Sequence, residues 1–216
     1  MRFRRIIITL AIGALFAAAI SCDNTGSPPP SEETNYCKFM PTGQGNKWEY
    51  RVVEESKFNP REEYTLTYEI TTVKSPYEGF PDAYVVTITR PGYPTEELVL
   101  GPSDDECYVE RAMWSYLMSD AMEIGGWSQT GLIVDFPLQY RGDSGVNVPA
   151  GSFNCRELFF DNGNEIKPES WSERYAEDVG LVKYENQYKE YQGSVPPELV
   201  DWRTVTYELR SYDIYE

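Results

Sequence analysis

From residue 47 onward hydrophobic and polar residues alternate along the chain. Trp48, Tyr50 and Val52 fall on one face of an extended segment, with Lys47, Glu49 and Arg51 on the other. Tyr64, Leu66, Tyr68 and Ile70 repeat the pattern, as do Tyr84, Val86 and Ile88, and near the end Val205, Tyr207 and Leu209. A period of two with one apolar side predicts strands buried on one face and wet on the other, the signature of an antiparallel sheet. Turn residues separate the strands at Asn59-Pro60, Pro91-Gly92, Gly101-Pro102 and Asn162-Gly163. The last pair, lying between 153–161 and the segment from Glu165, predicts a type I′ hairpin. Residues 112–121 fit either a strand or the apolar face of a short helix, and Gly125-Gly126 ends that segment. Roughly ten strands are expected, with at most one or two short helices. The fold class is all-β: a strongly curved antiparallel sheet, either a half barrel or an open barrel.

The amino terminus follows a different pattern. Arg2, Arg4 and Arg5 precede an apolar run over 6–20, and Ser21 stands immediately before Cys22. This three-part arrangement reads as a secretion signal, and the run is shorter than the ~20 residues that span a bilayer. Ala19-Ile20-Ser21-Cys22 resembles the lipobox of bacterial lipoproteins, with Ala where Leu is commonest. The resemblance implies cleavage before Cys22, acylation of its sulfur and amino group, and a lipid-anchored protein exported to a periplasmic or cell-surface face. Asp23 matches a signal for inner-membrane retention in some Gram-negative envelopes. Residues 23–34 (DNTGSPPPSEET) hold no large apolar side chain and are expected to form a flexible tether. The organisation is therefore a signal over 1–21, a lipidated Cys and tether over 22–36, and one β-rich domain over 37–216.

Composition narrows the chemistry. The 216 residues include 19 Lys+Arg, 35 Asp+Glu and no His, a net charge of −16. Loss of the signal removes three Arg and no acid, so the mature chain reaches −19. Nucleic acid is excluded as a partner by this acidity, and an anionic bilayer would repel the domain, leaving the acyl anchor to hold it at the membrane. The absence of His excludes Ser-His-Asp and Cys-His catalysis and His-containing zinc sites. With Cys22 used for lipid, two of Cys37, Cys107 and Cys155 are expected to form a structural disulfide in an oxidising compartment. No metal and no cofactor is implied.

A second resemblance rests on three landmarks: Gly45-Asn46-Lys47-Trp48-Glu49-Tyr50, Val148-Pro149-Ala150-Gly151-Ser152-Phe153, and Val179-Gly180-Leu181-Val182-Lys183-Tyr184 after the aromatics Trp171 and Tyr175. In this order they are similar to landmarks of a family of uncharacterised β-rich bacterial envelope lipoproteins. Met40-Pro41-Thr42 departs from the family's apolar Pro-Leu. The resemblance implies a strongly bent antiparallel sheet and no established activity.

Several other features could carry chemistry. The acidic clusters Asp104-Asp105-Glu106, Glu54-Glu55, Glu62-Glu63 and Glu96-Glu97 could supply paired carboxylates for glycan hydrolysis, although solvated turn acids are the ordinary reading. The segment 161–165 lacks the spacing of a calcium loop, and Arg141-Gly142-Asp143 reads as a turn. Trp48, Trp114, Trp127, Trp171 and Trp202, together with 17 Tyr, are the strongest candidates to line a site for a lipid, glycan or peptide. The same rings also suit a β core. The expectation is a non-catalytic envelope lipoprotein whose β domain binds a ligand or an envelope protein. The alternatives are a carboxylate-dependent hydrolase acting on envelope glycans, or a purely structural lipoprotein.

Overall fold

A computed structural model describes residues 38–103, 106–110, 113–119, 121–193 and 196–215. The signal, Cys22, the tether and Cys37 lie outside these residues. Eleven strands form a single antiparallel sheet: β1 (Lys47–Ser56), β2 (Glu62–Lys74), β3 (Ala83–Thr89), β4 (Glu96–Ser103), β5 (Glu106–Glu110), β6 (Trp114–Ser119), β7 (Gln139–Val148), β8 (Gly151–Asp161), β9 (Glu169–Ala176), β10 (Gly180–Gln192) and β11 (Glu198–Asp213). The order is β6-β5-β4-β3-β2-β1-β11-β10-β9-β8-β7, so the first and last strands pair at mid-sheet and two meanders run outward from them. No helix occurs among the described residues.

The alternation in the sequence is the alternation of burial. Trp48, Tyr50, Val52, Leu66, Tyr68, Ile70, Tyr184 and Leu209 are buried on the inner face. Bulges interrupt six of the pairings, among them those at Glu49/Tyr50, Ile70/Thr72, Leu181/Lys183 and Tyr140/Gly142. Each adds twist and bends its strand. On the outer face, charged side chains pair across strands. Arg174 meets Glu157 and Glu185, Lys183 reaches Glu185 and Glu208, and Arg51 joins Glu208 to Glu63.

The segment 121–138 is a strap that bridges the two edges of the sheet. The Gln129 and Thr130 amides donate to the Tyr116 carbonyl on β6. Residues 125–128 bond instead to Leu138 and to Tyr140 at the head of β7. Laid flat, an eleven-stranded sheet would hold its edges about 48 Å apart, at about 4.8 Å per strand spacing. Gly126 and Gln129, three residues apart, bond to opposite edges, so the sheet must curl until the strap fits between them. The strands do not close into a barrel; the strap spans the gap and occupies edge groups that would otherwise recruit another strand.

One open choice is resolved and two local expectations are corrected. Residues 114–119, inside the segment that fits either a strand or a helix, form strand β6, paired antiparallel with β5. Asn162-Gly163 does not make a two-residue hairpin: β8 ends at Asp161 and β9 begins at Glu169. Gly163 has φ near +63° and Asn162 is not left-handed, which excludes type I′. Asn162 Oδ1 accepts the Asn164 and Glu169 amides, and Asn164 Oδ1 accepts those of Ile166 and Lys167, so side chains brace a longer loop. Arg141-Gly142-Asp143 likewise lies within β7 at a bulge, with Arg141 over the Phe159 ring.

Candidate functional site

The first and third sequence landmarks meet in the core. The Trp48 indole N–H donates to the Val179 carbonyl and the Tyr50 hydroxyl to that of Leu181. Gly180, with φ near +96°, leaves room for the Trp48 ring. The second landmark forms the β7–β8 tip, where the Ala150 amide donates to the Leu209 carbonyl on β11. These motifs tie the ends of the central strands together and are accounted for by packing.

Glu173 stands on the inner face of β9 between the inward positions Trp171 and Tyr175, and it is fully buried. Its carboxylate accepts the backbone N–H groups of Leu132 at 2.6 Å, Ile133 at 2.8 Å and Val134 at 3.2 Å, and the hydroxyl of Tyr175. Three successive amides and a phenol thus offset part of the cost of a buried charge and fix the strap inside the sheet. Burial still pushes the Glu173 carboxyl above its ordinary pKa, opposed by these hydrogen bonds. A Cβ at Gly131 would overlap that carboxylate, so only glycine lets the strap approach.

Beside this anchor lies a cluster of tyrosines centred on Tyr207. Its ring is 5.1 Å from Tyr184 and 6.5 Å from Tyr50, which in turn stacks edge-on with Tyr68 at 5.4 Å. Register explains the gathering: Tyr207 faces Tyr184 on β10 and Val52 on β1, and Val52 faces Tyr64 on β2. Among the described residues no group hydrogen-bonds the hydroxyls of Tyr68, Tyr184 or Tyr207, and none of the three is sealed from solvent. Burial pushes all three phenols up, and Tyr207 adds to the effect on Tyr68 and Tyr184. They therefore stay neutral donors throughout the physiological range.

The edge of the cluster is polar. Tyr64 donates its hydroxyl to Glu54, and the Arg90 guanidinium lies 3.7 Å from the Tyr64 ring centre, 4.1 Å from that of Tyr93 and 4.0 Å from Glu54. Burial, then the bond to Glu54, raises the Tyr64 phenol. The arrangement offers ring faces, three open hydroxyls and one internally compensated ion pair.

The tryptophans do not converge on this site. Trp48 is committed to Val179; Trp171 stacks with Phe136 and Phe160; Trp127 is exposed and bridges to Gln139; Trp202 on β11 pairs with Lys189 on β10. Trp114 lies on β6, and its side chain falls outside the described residues. Of the acidic clusters, Glu54 belongs to the site's edge, Glu55 and Glu63 pair with Arg61, and Glu106 accepts from Tyr108. Asp104 and Asp105 lie outside the described residues. No metal-binding cluster of His, Cys, Asp or Glu occurs among the described residues. Cys107 is disulfide-bonded, whereas Cys155 is a buried free thiol that desolvation pushes up to about 11.

No family model and no curated protein matches the chain. Two solved structures are similar. One is provisionally named an exported protein with a YmcC-like fold, from Bacteroides fragilis NCTC 9343, with a TM-score of 0.50 and 13% identity over 82% of this chain and 99% of its own. The other is provisionally named a lipoprotein, from Parabacteroides distasonis ATCC 8503, with a TM-score of 0.49 and 11% identity over 82% and 99% of the two chains. At such identity the first likeness is one of fold.

Proposed function

We propose that this chain is an envelope lipoprotein, anchored through an acylated Cys22, whose β domain binds a small ligand on its inner face without converting it. The address rests on the basic, apolar and small-residue signal before Cys22, and the structural likeness to a protein named as exported agrees with it. The single observation that carries the binding reading is the trio of inner-face phenols, Tyr68, Tyr184 and the half-buried Tyr207, whose hydroxyls take no hydrogen bond from the described residues and reach solvent. Hydroxyls that reach solvent among packed rings are free to bond water or a ligand that displaces it. Neutral donors set among ring faces suit an uncharged ligand with both hydroxyls and apolar faces, as a glycan offers. An acyl chain would leave three hydroxyls unpaired.

Native mass spectrometry of the protein, extracted from its own envelope in a non-denaturing detergent, tests this. A bound species of discrete mass is expected, lost when Tyr68, Tyr184 and Tyr207 are all replaced by Phe. A bare chain for both proteins would refute the binding reading.

A further inference from the structure

The register of the central strands carries the inner face beyond the tyrosine cluster. Tyr207, Tyr184 and Glu173 lie directly opposite one another on β11, β10 and β9, and Val205, Asn186 and Trp171 form the next row on the same face. Two residues further, Arg203, Tyr188 and Glu169 form a third row, joined on β1 by Ser56. No bulge interrupts these strands between the first row and the third, so all three rows face inward. Four residues separate the outer two rows, about 13 Å along the strands. Between them lies Asn186, only 3% exposed. Its amide group donates to Glu169 Oε1 at 3.1 Å and to the Ser170 carbonyl at 3.2 Å, and its Oδ1 accepts no hydrogen bond from the described residues.

The third row opens on a cleft at the end of the sheet. With Phe58, Asn59 and Asp201 it lines about 320 Å³, within the ~300 to 1,000 Å³ of small-molecule sites. A smaller cleft of about 100 Å³ shares Ser56, Asn59 and Arg203 with it and reaches Glu54, the acceptor of Tyr64 at the polar edge of the tyrosine cluster. Phe58 is 73% exposed and has no ring partner among the described residues; Lys57 Nζ stands 5.6 Å from its centre. Most charges here are taken up within the protein. Arg203 lies 3.7 Å from Glu169, Lys167 pairs with Glu190, Arg90 with Glu54, and Lys57 Nζ donates to the Val200 carbonyl. Glu62 and Asp201 make no ion pair among the described residues, and Asp201 accepts only the Trp202 amide.

We infer that this cleft is a second subsite for the ligand of the tyrosine cluster, which is therefore an uncharged oligosaccharide of at least two rings; the inference rests on the reading that the cluster binds a glycan. One sugar ring lies against Tyr68, Tyr184 and Tyr207, the chain passes the open Asn186 Oδ1, and a second ring rests on Phe58 with its hydroxyls toward Asp201 and Arg203. A single pyranose ring is too short to occupy both ends. An aromatic face packs on the apolar face of a sugar, while the carboxylate and guanidinium accept from and donate to its hydroxyls. An acyl chain would bury Asn186 and Asp201 against hydrocarbon without partners. An anionic glycan would face the unpaired carboxylates of Glu62 and Asp201.

Native mass spectrometry of the full-length protein, extracted from its envelope in a non-denaturing detergent, tests the inference when the species it carries is ejected and fragmented. That species should be an oligosaccharide of two or more uncharged sugar residues. Phe58→Ala combined with Asp201→Ala should lower its occupancy about tenfold while the thermal unfolding midpoint stays unchanged, and Phe58→Trp, which keeps a ring face, should retain it. A single sugar, an acidic glycan or an acyl chain as the bound species would overturn the inference. Equal occupancy in the wild type and the Phe58→Ala, Asp201→Ala variant would overturn it as well, and the binding reading would still stand if replacing Tyr68, Tyr184 and Tyr207 with Phe removed the species. A bare wild-type chain would refute the binding reading and this inference with it.

Discussion

The carboxylate of Glu173 on β9 accepts the backbone N–H of Leu132 at 2.6 Å, with 41 residues of chain between them and the side chain fully buried. Because Ile133, Val134 and Tyr175 donate to the same carboxylate, this one side chain holds the strap that spans the gap between β6 and β7.

Removing that carboxylate should therefore destabilise the whole domain. Glu173→Ala removes the acceptor of three backbone amides, of which Leu132 keeps a second one in the Tyr175 hydroxyl at 3.3 Å, a loss of about 3 to 5 kcal/mol that chemical denaturation would read. Gly131→Ala should act in the same direction by forcing its Cβ into the carboxylate. Both variants should also aggregate more readily, since a displaced strap exposes two sheet edges.

The pH dependence of stability should separate Glu173 from other carboxylates. Its folded-state pKa is raised, chiefly by burial. The corresponding stability is fully present below the ordinary carboxylate value near 4.3 and is lost as pH rises through the higher folded value. The difference in unfolding free energy between the wild type and Glu173→Gln should carry this fall and flatten above it. A difference independent of pH from 4 to 8 would contradict the assignment.

Two tyrosines on the inner face should answer differently to loss of a hydroxyl. Tyr175→Phe removes a donor to Glu173 and should lower stability by about 1 to 2 kcal/mol. The Tyr207 hydroxyl takes no hydrogen bond from the described residues, so Tyr207→Phe should change stability by less than about 0.5 kcal/mol while weakening ligand binding. Thermal denaturation of the two variants side by side makes the comparison.

Cys155 should be inert in the folded protein. It is buried, and desolvation holds its thiol near 11, so little thiolate exists at pH 8. Ellman's reagent should find essentially no thiol in the native state and one per chain after denaturation.

Much of the sheet was legible in the sequence because each strand is wet on one side, so Trp48-Tyr50-Val52 and Tyr64-Leu66-Tyr68 display their period directly. Strand β6 stayed open because Val109, Ala112, Met113, Tyr116 and Leu117 also fit one face of a helix. The Asn162 loop misled because Asn-Gly marks a turn without fixing its length. At the site, tryptophans drew notice by size, yet Trp48 and Trp171 are used in packing. The telling signals were subtler: the register that sets Tyr207 beside Tyr184, which no single strand reveals, and an acid, Glu173, at an inward position between Trp171 and Tyr175. The strap carries no periodic pattern at all, because its geometry is set by the two edges it bridges.

The proposed anchor can be tested through the cysteines. Cys107 is disulfide-bonded and Cys155 is free, so the partner of Cys107 is Cys22 or Cys37, and an acylated Cys22 cannot serve. Peptide mapping of the mature protein without reduction decides between them. The account predicts a chain that begins at Cys22, carries acyl groups on that residue, and links Cys37 to Cys107. An unacylated Cys22, or a Cys22–Cys107 bridge, would contradict it.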